Sequence, residues 1–138
     1  MRSGSVLAAL CLVPLGALAR AQPSATAPRK GGNPEAARRA NPVASSPESI
    51  AAGKRAYTQF CANCHGASGR GDGSGASAGS QPADLTDAAW DYGSSDGEVF
   101  GVIRDGVSMD MGPYGERMKE TDIWHVINYL RTLAAGRR

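Results

Sequence analysis

The feature that most limits how this chain can fold is a long stretch with very few large apolar side chains. Between positions 66 and 95 most residues favour turns, and glycines cluster at 66–79. No segment alternates apolar and polar residues with the period of two that a half-buried strand shows. A chain of 138 residues has room for one ordinary domain and not for two. The sequence therefore predicts an all-α domain with long ordered loops.

Three segments outside this stretch predict helices. Ser46, followed by a proline and a glutamate, is typical of a helix start, so a helix is expected over about 47–62. Ser95 and Glu98 have the spacing of a capping box, and Gly106 predicts the end of that second helix. An apolar stripe predicts the third helix, which Gly136 should end: Ile123, Ile127, Leu130 and Ala134.

The apolar residues of these helices are few for a domain of about 90 residues, which would be marginal on such a core alone. The long loop adds little apolar surface, and aromatic residues make up only 6% of the chain. Something other than side chains is therefore expected to fill the centre. This deficit indicates a bound cofactor.

The segment Cys61-Ala62-Asn63-Cys64-His65 matches C-x-x-C-H, the attachment signature of c-type haem. Two thiols one helical turn apart can each add to one of two neighbouring haem vinyl groups. The adjacent histidine is then held beneath the iron, which a ring nitrogen can coordinate. The motif predicts one haem c bound covalently through Cys61 and Cys64, with His65 as an iron ligand.

Three other interpretations of the motif fit these residues less well. A disulfide between Cys61 and Cys64 would close a very small loop and leave His65 without a role. A thioredoxin-like redox pair requires a strand-helix-strand context that the pattern lacks. A zinc site would have to recruit His125, and the neighbouring residues Cys64 and His65 cannot easily bind one tetrahedral metal together.

Beyond the motif, the sequence from Gly53 to Leu133 resembles a class I cytochrome c, which implies the cytochrome c fold around one haem. The resemblance rests on four pieces in the family's order: Gly53-x3-Tyr57-x3-Cys61-x2-Cys64-His65-Gly66, Pro82-Ala83-Asp84-Leu85-Thr86, Asp105-Gly106 through Met111, and Ile123-Trp124-x4-Tyr129-Leu130. It implies that Gly53 and Tyr57 meet Tyr129 where the first and last helices cross.

The resemblance also implies a methionine as the second iron ligand, from a loop before the last helix. Met111 aligns best with that ligand loop, with Met109 as the alternative, because Gly112 separates Met111 from the proline that often follows the ligand directly. Pro82 resembles the proline that lies against the histidine ligand, whose ring donates to nearby backbone. Trp124, and less strongly Trp90, is expected to line the haem pocket.

The N-terminal part differs from the domain at 47–138. Residues 1–21 have the pattern of a secretory signal peptide, with Arg2 before an apolar run that contains Cys11 and Pro14. A short membrane anchor is the alternative. Residues 22–46 are rich in alanine and proline, carry a local positive charge, and are expected to form a solvated, disordered linker.

Charge narrows the function further. The whole chain carries +2, which excludes a strongly basic nucleic-acid binder, while residues 47–138 have nine basic and twelve acidic residues. No stretch reaches the roughly 20 apolar residues of a membrane span in the mature chain. We expect a periplasmic electron carrier, not an enzyme, that is a monomer or a subunit of a redox complex.

The expected redox partners are a periplasmic dehydrogenase, an oxidase or another cytochrome, and we expect docking to favour a basic partner patch. The main alternative is a dedicated cytochrome subunit of a periplasmic dehydrogenase or oxidase complex. A haem sensor or a peroxidase-like protein is a further alternative, and it would require a sixth iron position that Met111 does not fill.

Overall fold

The structure is a computed structural model that describes residues 24–88 and 90–135. This part of the chain is helical and contains no strand. Five helices follow one another along it: α1 (Pro34–Ala37), α2 (Pro47–Phe60), α3 (Ala62–His65), α4 (Asp96–Asp105) and α5 (Glu120–Ala135). None of these helices is long and apolar enough to cross a bilayer. Over the described residues the architecture is all-α with long loops, as the sequence predicted.

The predicted crossing of the first and last long helices is confirmed. Helix α2 packs directly against α5, and a Cβ added at Gly53 would overlap the carbonyl oxygen of His125. One turn further along α2, the Tyr57 ring lies 5.3 Å from the Tyr129 ring, measured between centroids. Because glycine has no side chain, it allows the two backbones to approach this closely.

Helix α4 begins and ends as predicted. The Ser95 side chain accepts from the backbone of Glu98, and the Glu98 carboxylate accepts from the backbone of Ser95, which completes the capping box. Gly106 ends the helix with φ +71°. The buried core joins α2, α4 and α5: Tyr57, Val99, Phe100, Ile103, Met118, Ile123, Trp124, Val126, Ile127, Tyr129 and Leu130.

Helix α2 is slightly shorter than expected and α5 extends to Ala135. Cys61 caps α2 and donates its backbone N–H to Tyr57, and the motif then forms the separate turn α3. The residue predicted to end the last helix, Gly136, lies outside the described residues, as does the proposed signal peptide at 1–21.

Residues 24–46 differ from the disordered linker that we expected. In the structure, α1 packs against α4, and Asn33 is only 1% exposed. The Arg39 guanidinium covers the Phe100 ring at 3.9 Å and pairs with Glu120 at 2.9 Å. The scarcity of large apolar side chains predicted disorder, whereas hydrogen bonds and the packing of small residues hold this segment in place. We call residues 24–41 the N-terminal strap.

A buried amide joins the strap's end to the helical core. Asn128, on α5, donates to the carbonyl oxygens of Val43 at 3.1 Å and Ala44 at 3.3 Å. It also donates to Ser49 Oγ at 2.8 Å and accepts from the Asn41 amide at 3.0 Å. All the hydrogen-bonding groups of this buried side chain are therefore used within the chain.

Candidate functional site

The C-x-x-C-H motif lies at one end of a large cavity. Helix α3 is a single turn that places Cys61, Cys64 and His65 on the wall of a cavity of about 800 Å³. Both cysteines are free thiols, so the disulfide interpretation is not supported. Burial, with a contribution from Cys64, raises the pKa of the Cys61 thiol to about 12. That thiol is therefore protonated at neutral pH.

The glycine cluster wraps the motif. The backbone N–H groups of Gly71, Gly73 and Gly75 donate to the carbonyl oxygens of His65, Cys64 and Asn63, at 2.9, 3.1 and 2.8 Å. These bonds satisfy carbonyls that the end of a one-turn helix leaves without partners. A Cβ added at Gly73 would overlap the Asn63 carbonyl oxygen. Glycine is needed at this point because the loop backbone lies directly on α3.

A second bond fixes the turn after α3. The Tyr57 hydroxyl donates to the Gly66 carbonyl oxygen at 2.6 Å. Burial raises the pKa of Tyr57 well above its ordinary value, so the phenol stays neutral and remains a donor. The aromatic residue of the α2–α5 crossing thus also anchors the motif.

The His65 ring is oriented by backbone. Its Nδ1 lies 3.1 Å from the carbonyl oxygen of Ala83, which can only accept, so Nδ1 carries the proton and Nε2 keeps its lone pair. Burial lowers the pKa of His65, which favours the neutral ring that a metal binds, while the bond to Ala83 acts in the opposite direction. The acceptor follows Pro82 directly, as the family resemblance implied, and Pro82 also lines the cavity.

The opposite wall carries two methionines. Met111 is half-buried and packs against the core, whereas Met109 is 101% exposed. The loop turns back on itself because the Val107 N–H donates to the Met111 carbonyl oxygen at 2.9 Å. Both side chains line the cavity, but only Met111 lies among apolar neighbours.

Tyr114 ties this loop to both neighbouring helices. Its backbone N–H donates to the Ile103 carbonyl oxygen near the end of α4, at 3.0 Å. Its hydroxyl donates to the Phe60 carbonyl oxygen at the end of α2, at 3.1 Å. The methionine loop is therefore held to the residue that precedes the motif.

Of the two tryptophans expected at the haem pocket, only Trp90 lines the cavity, and the more strongly expected Trp124 does not. Trp124 is 2% exposed, stacks on Phe100 with ring centroids 4.2 Å apart, and does not line the cavity. Helix α5 contributes Val126 and Leu130 to the cavity instead. Trp124 lies two residues before Val126, about 200° around the helix, and so faces away. The helical spacing of Trp124 and Val126 was therefore enough to predict that the two side chains face different directions.

Trp90 is the tryptophan on the cavity wall. Its indole N–H is buried and has no hydrogen-bond partner within the described ranges. The Arg131 guanidinium lies 5.6 Å from its ring centroid and also bonds to Asp96. A buried donor without an acceptor is costly, so this atom fits a cofactor that brings an acceptor into the cavity.

Two arginines that could pair with a haem propionate and the second histidine of the domain do not line the cavity. The Arg104 guanidinium binds Asp105 through two bonds of 2.7 and 2.8 Å, and Arg70 does not line the cavity. His125 bonds to Ser49 through Nδ1 at 2.8 Å and lies outside the cavity, as expected of a histidine that is not a ligand. Over 24–88 and 90–135, no group of three or more His, Cys, Asp or Glu side chains is arranged to hold a metal ion.

The cavity's chemistry fits a haem. Two thiols, an imidazole with a free Nε2 and a thioether converge on a space whose size is typical of cofactor pockets, about 300–1,000 Å³. The walls contributed by α2, α4 and α5 are largely apolar: Tyr57, Phe60, Val99, Val102, Ile103, Val126 and Leu130. The missing core predicted from the sequence is this cavity.

Several known proteins are similar to this chain. A chain of the reducing HAO-like protein complex of Kuenenia stuttgartiensis is 27% identical with a TM-score of 0.61, covering 67% of this chain and 46% of that one. Cytochrome cL from Methylophaga aminisulfidivorans is 25% identical with a TM-score of 0.54, covering 62% and 55%. Cytochrome cL from Hyphomicrobium denitrificans is 26% identical with a TM-score of 0.52, covering 60% and 46%. The chain spans about half the length of these structures.

A family model described as cytochrome c oxidase, cbb3-type, subunit III matches residues 48–130. The match covers more than half of the chain and includes α2 through most of α5. Its start lies one residue after the N-terminus of α2. The chain belongs to this family of class I c-type cytochromes, and that membership implies a covalently bound haem c.

Proposed function

We propose that this protein is an exported electron carrier with one haem, bound covalently through Cys61 and Cys64 and ligated by His65 and Met111. The observation that carries the proposal is the convergence of these four side chains on one cavity of about 800 Å³. When bound, the haem supplies one-electron exchange between ferric and ferrous iron. The chain itself fixes ligands and excludes water, and we propose no enzymatic activity for it.

Each element of the chain has a separate task in this proposal. The Ala83 carbonyl holds the His65 ring in one tautomer and orientation, which leaves Nε2 for the iron. Tyr114 holds the Met111 loop to the end of α2. Fixed ligands reduce the rearrangement that accompanies each electron transfer. The apolar walls keep water away from the site.

The choice of Met111 over Met109 rests on burial. A thioether ligand must point into the cavity, and Met111 packs there while Met109 is fully exposed. The absorption spectrum of the oxidised protein tests this choice, because a methionine bound to ferric haem gives a characteristic weak band at long wavelength. We expect the band in the natural protein and in Met109→Ala, and its loss in Met111→Ala. The reverse pattern would exchange the two assignments.

The same spectrum tests the open-site alternative. A haem sensor or a peroxidase-like protein needs a sixth position that exogenous ligands can reach. Absence of the band in the natural protein, together with rapid binding of cyanide or carbon monoxide, would favour that alternative and contradict the electron-carrier proposal.

We propose that partners dock at the mouth of the cavity. The stretch 75–83 on one rim is uncharged, and the exposed Met109 lies on the other. The described residues of the lining include four aspartates and no lysine or arginine: Asp84, Asp87, Asp91 and Asp110. An acidic mouth around an apolar contact fits a redox protein with a basic patch.

Ionic strength and a matched pair of variants test the docking face. We expect electron transfer to a basic redox protein to slow as salt rises, because screening weakens long-range attraction. At low salt, Asp110→Asn should transfer electrons more slowly than the natural protein. Glu116→Gln removes the same charge from an exposed residue outside the lining, and its rate should equal that of the natural protein. Rates that are independent of salt, or equal effects of the two variants, would contradict this docking face.

A dedicated subunit of a larger redox complex is the second candidate. It is favoured by the similarity to a chain of a protein complex of Kuenenia stuttgartiensis. Purification from the native membrane-free extract distinguishes the two. Co-elution with a larger enzyme in fixed stoichiometry would favour the subunit, and elution as a free monomer would favour the carrier.

Export to the periplasm through residues 1–21 is also a proposal. It is supported by the sequence pattern of that segment, which lies outside the described residues. N-terminal sequencing of the mature haem protein from a periplasmic fraction tests it. A mature chain that begins near position 22 is expected, and a haem protein that retains residues 1–21 would point to an anchor.

A further inference from the structure

The N-terminal strap lies outside the family segment 48–130 and yet contacts the wall of the haem cavity. Helix α4 receives the strap on a glycine face: a Cβ added at Gly97 would overlap the carbonyl oxygen of Ala36. One turn later, a Cβ at Gly101 would lie 3.3 Å from the carbonyl oxygen of Thr26. The strap backbone therefore lies directly against the helix, and larger residues on α4 would displace it.

Asn33 is the centre of the strap. It is 1% exposed, and its amide Nδ2 donates to the carbonyl oxygens of Ala25 at 3.0 Å and Ala27 at 2.7 Å. Its Oδ1 accepts from the Glu35 N–H at 3.0 Å, which caps α1. A buried amide with all of these bonds made gives the strap one defined shape.

The strap and the cavity wall meet at one carboxylate. Glu98 Oε1 accepts from the Asn33 backbone N–H at 2.8 Å, while Oε2 accepts from the Ser95 backbone N–H at 3.0 Å. Glycines face this carboxylate from both sides. A Cβ added at Gly32 would lie 2.7 Å from Oε1, and one added at Gly93 would overlap the carboxylate. The Glu98 carboxylate is thus packed tightly between Gly32 of the strap and Gly93 of the cavity wall.

The strap also bonds directly to the wall. The Gly31 N–H donates to the Asp91 carbonyl oxygen at 2.7 Å, and Lys30 Nζ lies 3.4 Å from the Asp91 carboxylate. Residues 90–93 all line the cavity, and the first of them is Trp90, whose buried indole N–H has no partner in the described part of the chain. The position of this donor therefore depends on a segment next to the strap.

We propose that the strap is a positioning element of the haem site: through Asn33 and Glu98 it holds the 90–93 wall, and with it the Trp90 indole N–H, in place against the bound haem. The inference rests on the proposed function. Hydrogen bonds and burial around a cofactor set its reduction potential, so contacts outside the family segment contribute to the electron affinity of this cytochrome.

Two readouts on the full-length haem protein test the proposal. One is the equilibrium constant for haem reduction against a reference couple, and the other is the NMR shift and hydrogen exchange of the Trp90 indole N–H. We expect Asn33→Ala to change the constant by about twofold to thirtyfold, the range of coupling between packed sites. The indole N–H should also shift and exchange faster.

Arg38→Ala is the matched control, because Arg38 lies in the same strap, is exposed, and pairs only with Glu35 among the bonds that the structure describes. It should leave both readouts unchanged. A loss of thermal stability in Asn33→Ala with an unchanged reduction constant and an unchanged indole signal would overturn the proposal, since a merely structural role would give that result.

A milder variant covers the case in which Asn33→Ala does not mature. Asn33→Ser keeps an oxygen that can cap α1 but loses the two Nδ2 donors, and it should change both readouts in the same direction by less. Unchanged readouts in Asn33→Ser would then refute the strap's role. If the natural protein lacks a reversible one-electron couple, the proposed function itself fails, which is a different outcome.

Discussion

The α2–α5 crossing and the loop wall at 66–93 stabilise this domain in different ways. The crossing is made by buried side chains at helical spacing, such as Tyr57 and Tyr129, and by one close backbone approach at Gly53. The wall has few buried side chains and is held by backbone bonds to α3, to His65 and to the strap. The packing of its own side chains therefore stabilises the crossing. The loop wall, in contrast, depends on contact with the cofactor that the cavity would hold.

Removing the haem attachment should destabilise the loop wall more than the crossing, and it should lower thermal stability more than any other variant described here. In the double variant Cys61→Ser/Cys64→Ser we expect no covalent haem and no cooperative thermal transition, because the cavity's apolar walls lose their main contact. Circular dichroism against temperature and amide exchange of Gly71 and Gly73 measure this. Cys11→Ser is the control, since Cys11 belongs to the expected signal peptide and should not affect haem binding. Covalent haem in the double variant would contradict the assignment.

Adding a side chain at Gly53, where α2 and α5 lie closest, should destabilise the crossing instead of the loop wall. A Cβ at Gly53 would overlap the His125 carbonyl oxygen, so Gly53→Ala must push α2 and α5 apart at a cost of about 3 kcal/mol in unfolding free energy. Gly112→Ala is the matched control, because nothing lies within 4 Å of a Cβ there. Urea unfolding of both haem proteins compares them. Equal stability in the two variants would show that the crossing is not the tight contact described above.

Tyr114→Phe should loosen the connection between the two regions by a smaller amount. The variant loses the hydroxyl bond to the Phe60 carbonyl oxygen, which is worth about 1 kcal/mol. We expect a modest fall in unfolding free energy and easier displacement of the Met111 ligand. The long-wavelength band measures this displacement, and it should disappear at a lower denaturant concentration than in the natural protein. A band that persists as in the natural protein would mean that Tyr114 does not support the methionine loop.

Glu98→Gln should have the smallest effect, and the effect should depend on pH. Burial alone would raise the pKa of Glu98, but bonds from Ser95, Asn33 and Ser94 outweigh it and hold the pKa below its ordinary value of 4.5. A lowered folded-state pKa stabilises the protein above the unfolded value, and this contribution is lost as pH falls through the folded value. Glu98→Gln should therefore be less stable than the natural protein at pH 7.

The difference between the two proteins should shrink as pH falls below about 4.5, where the carboxyl of the unfolded chain becomes protonated. Thermal unfolding of both haem proteins across this range measures it. A difference in stability that does not change with pH would mean that the carboxylate charge contributes nothing to the junction of strap and wall.

The features that were predictable from sequence are those whose signal lies within a few residues. The capping box of Ser95 and Glu98 and the C-x-x-C-H motif follow from local spacing, whereas the glycine of the crossing was implied by the family resemblance. The orientation of Trp124 was also available from helix periodicity, since Val126 lies on the opposite side. The strap was not predictable in this way, because Asn33 and Glu98 are 65 positions apart and no local sequence pattern indicates that they bond.

Asn128 has a consequence for anyone who transplants this cytochrome as a module. Its amide bonds to Asn41, Val43 and Ala44, all of which precede the family segment that begins at position 48. A fusion that starts at that boundary would remove the Asn41 donor and the two carbonyl acceptors, and leave a 4%-exposed amide with unmet bonds inside the core. To keep these bonds, a portable unit of this protein must begin no later than Asn41, not at the edge of the sequence match.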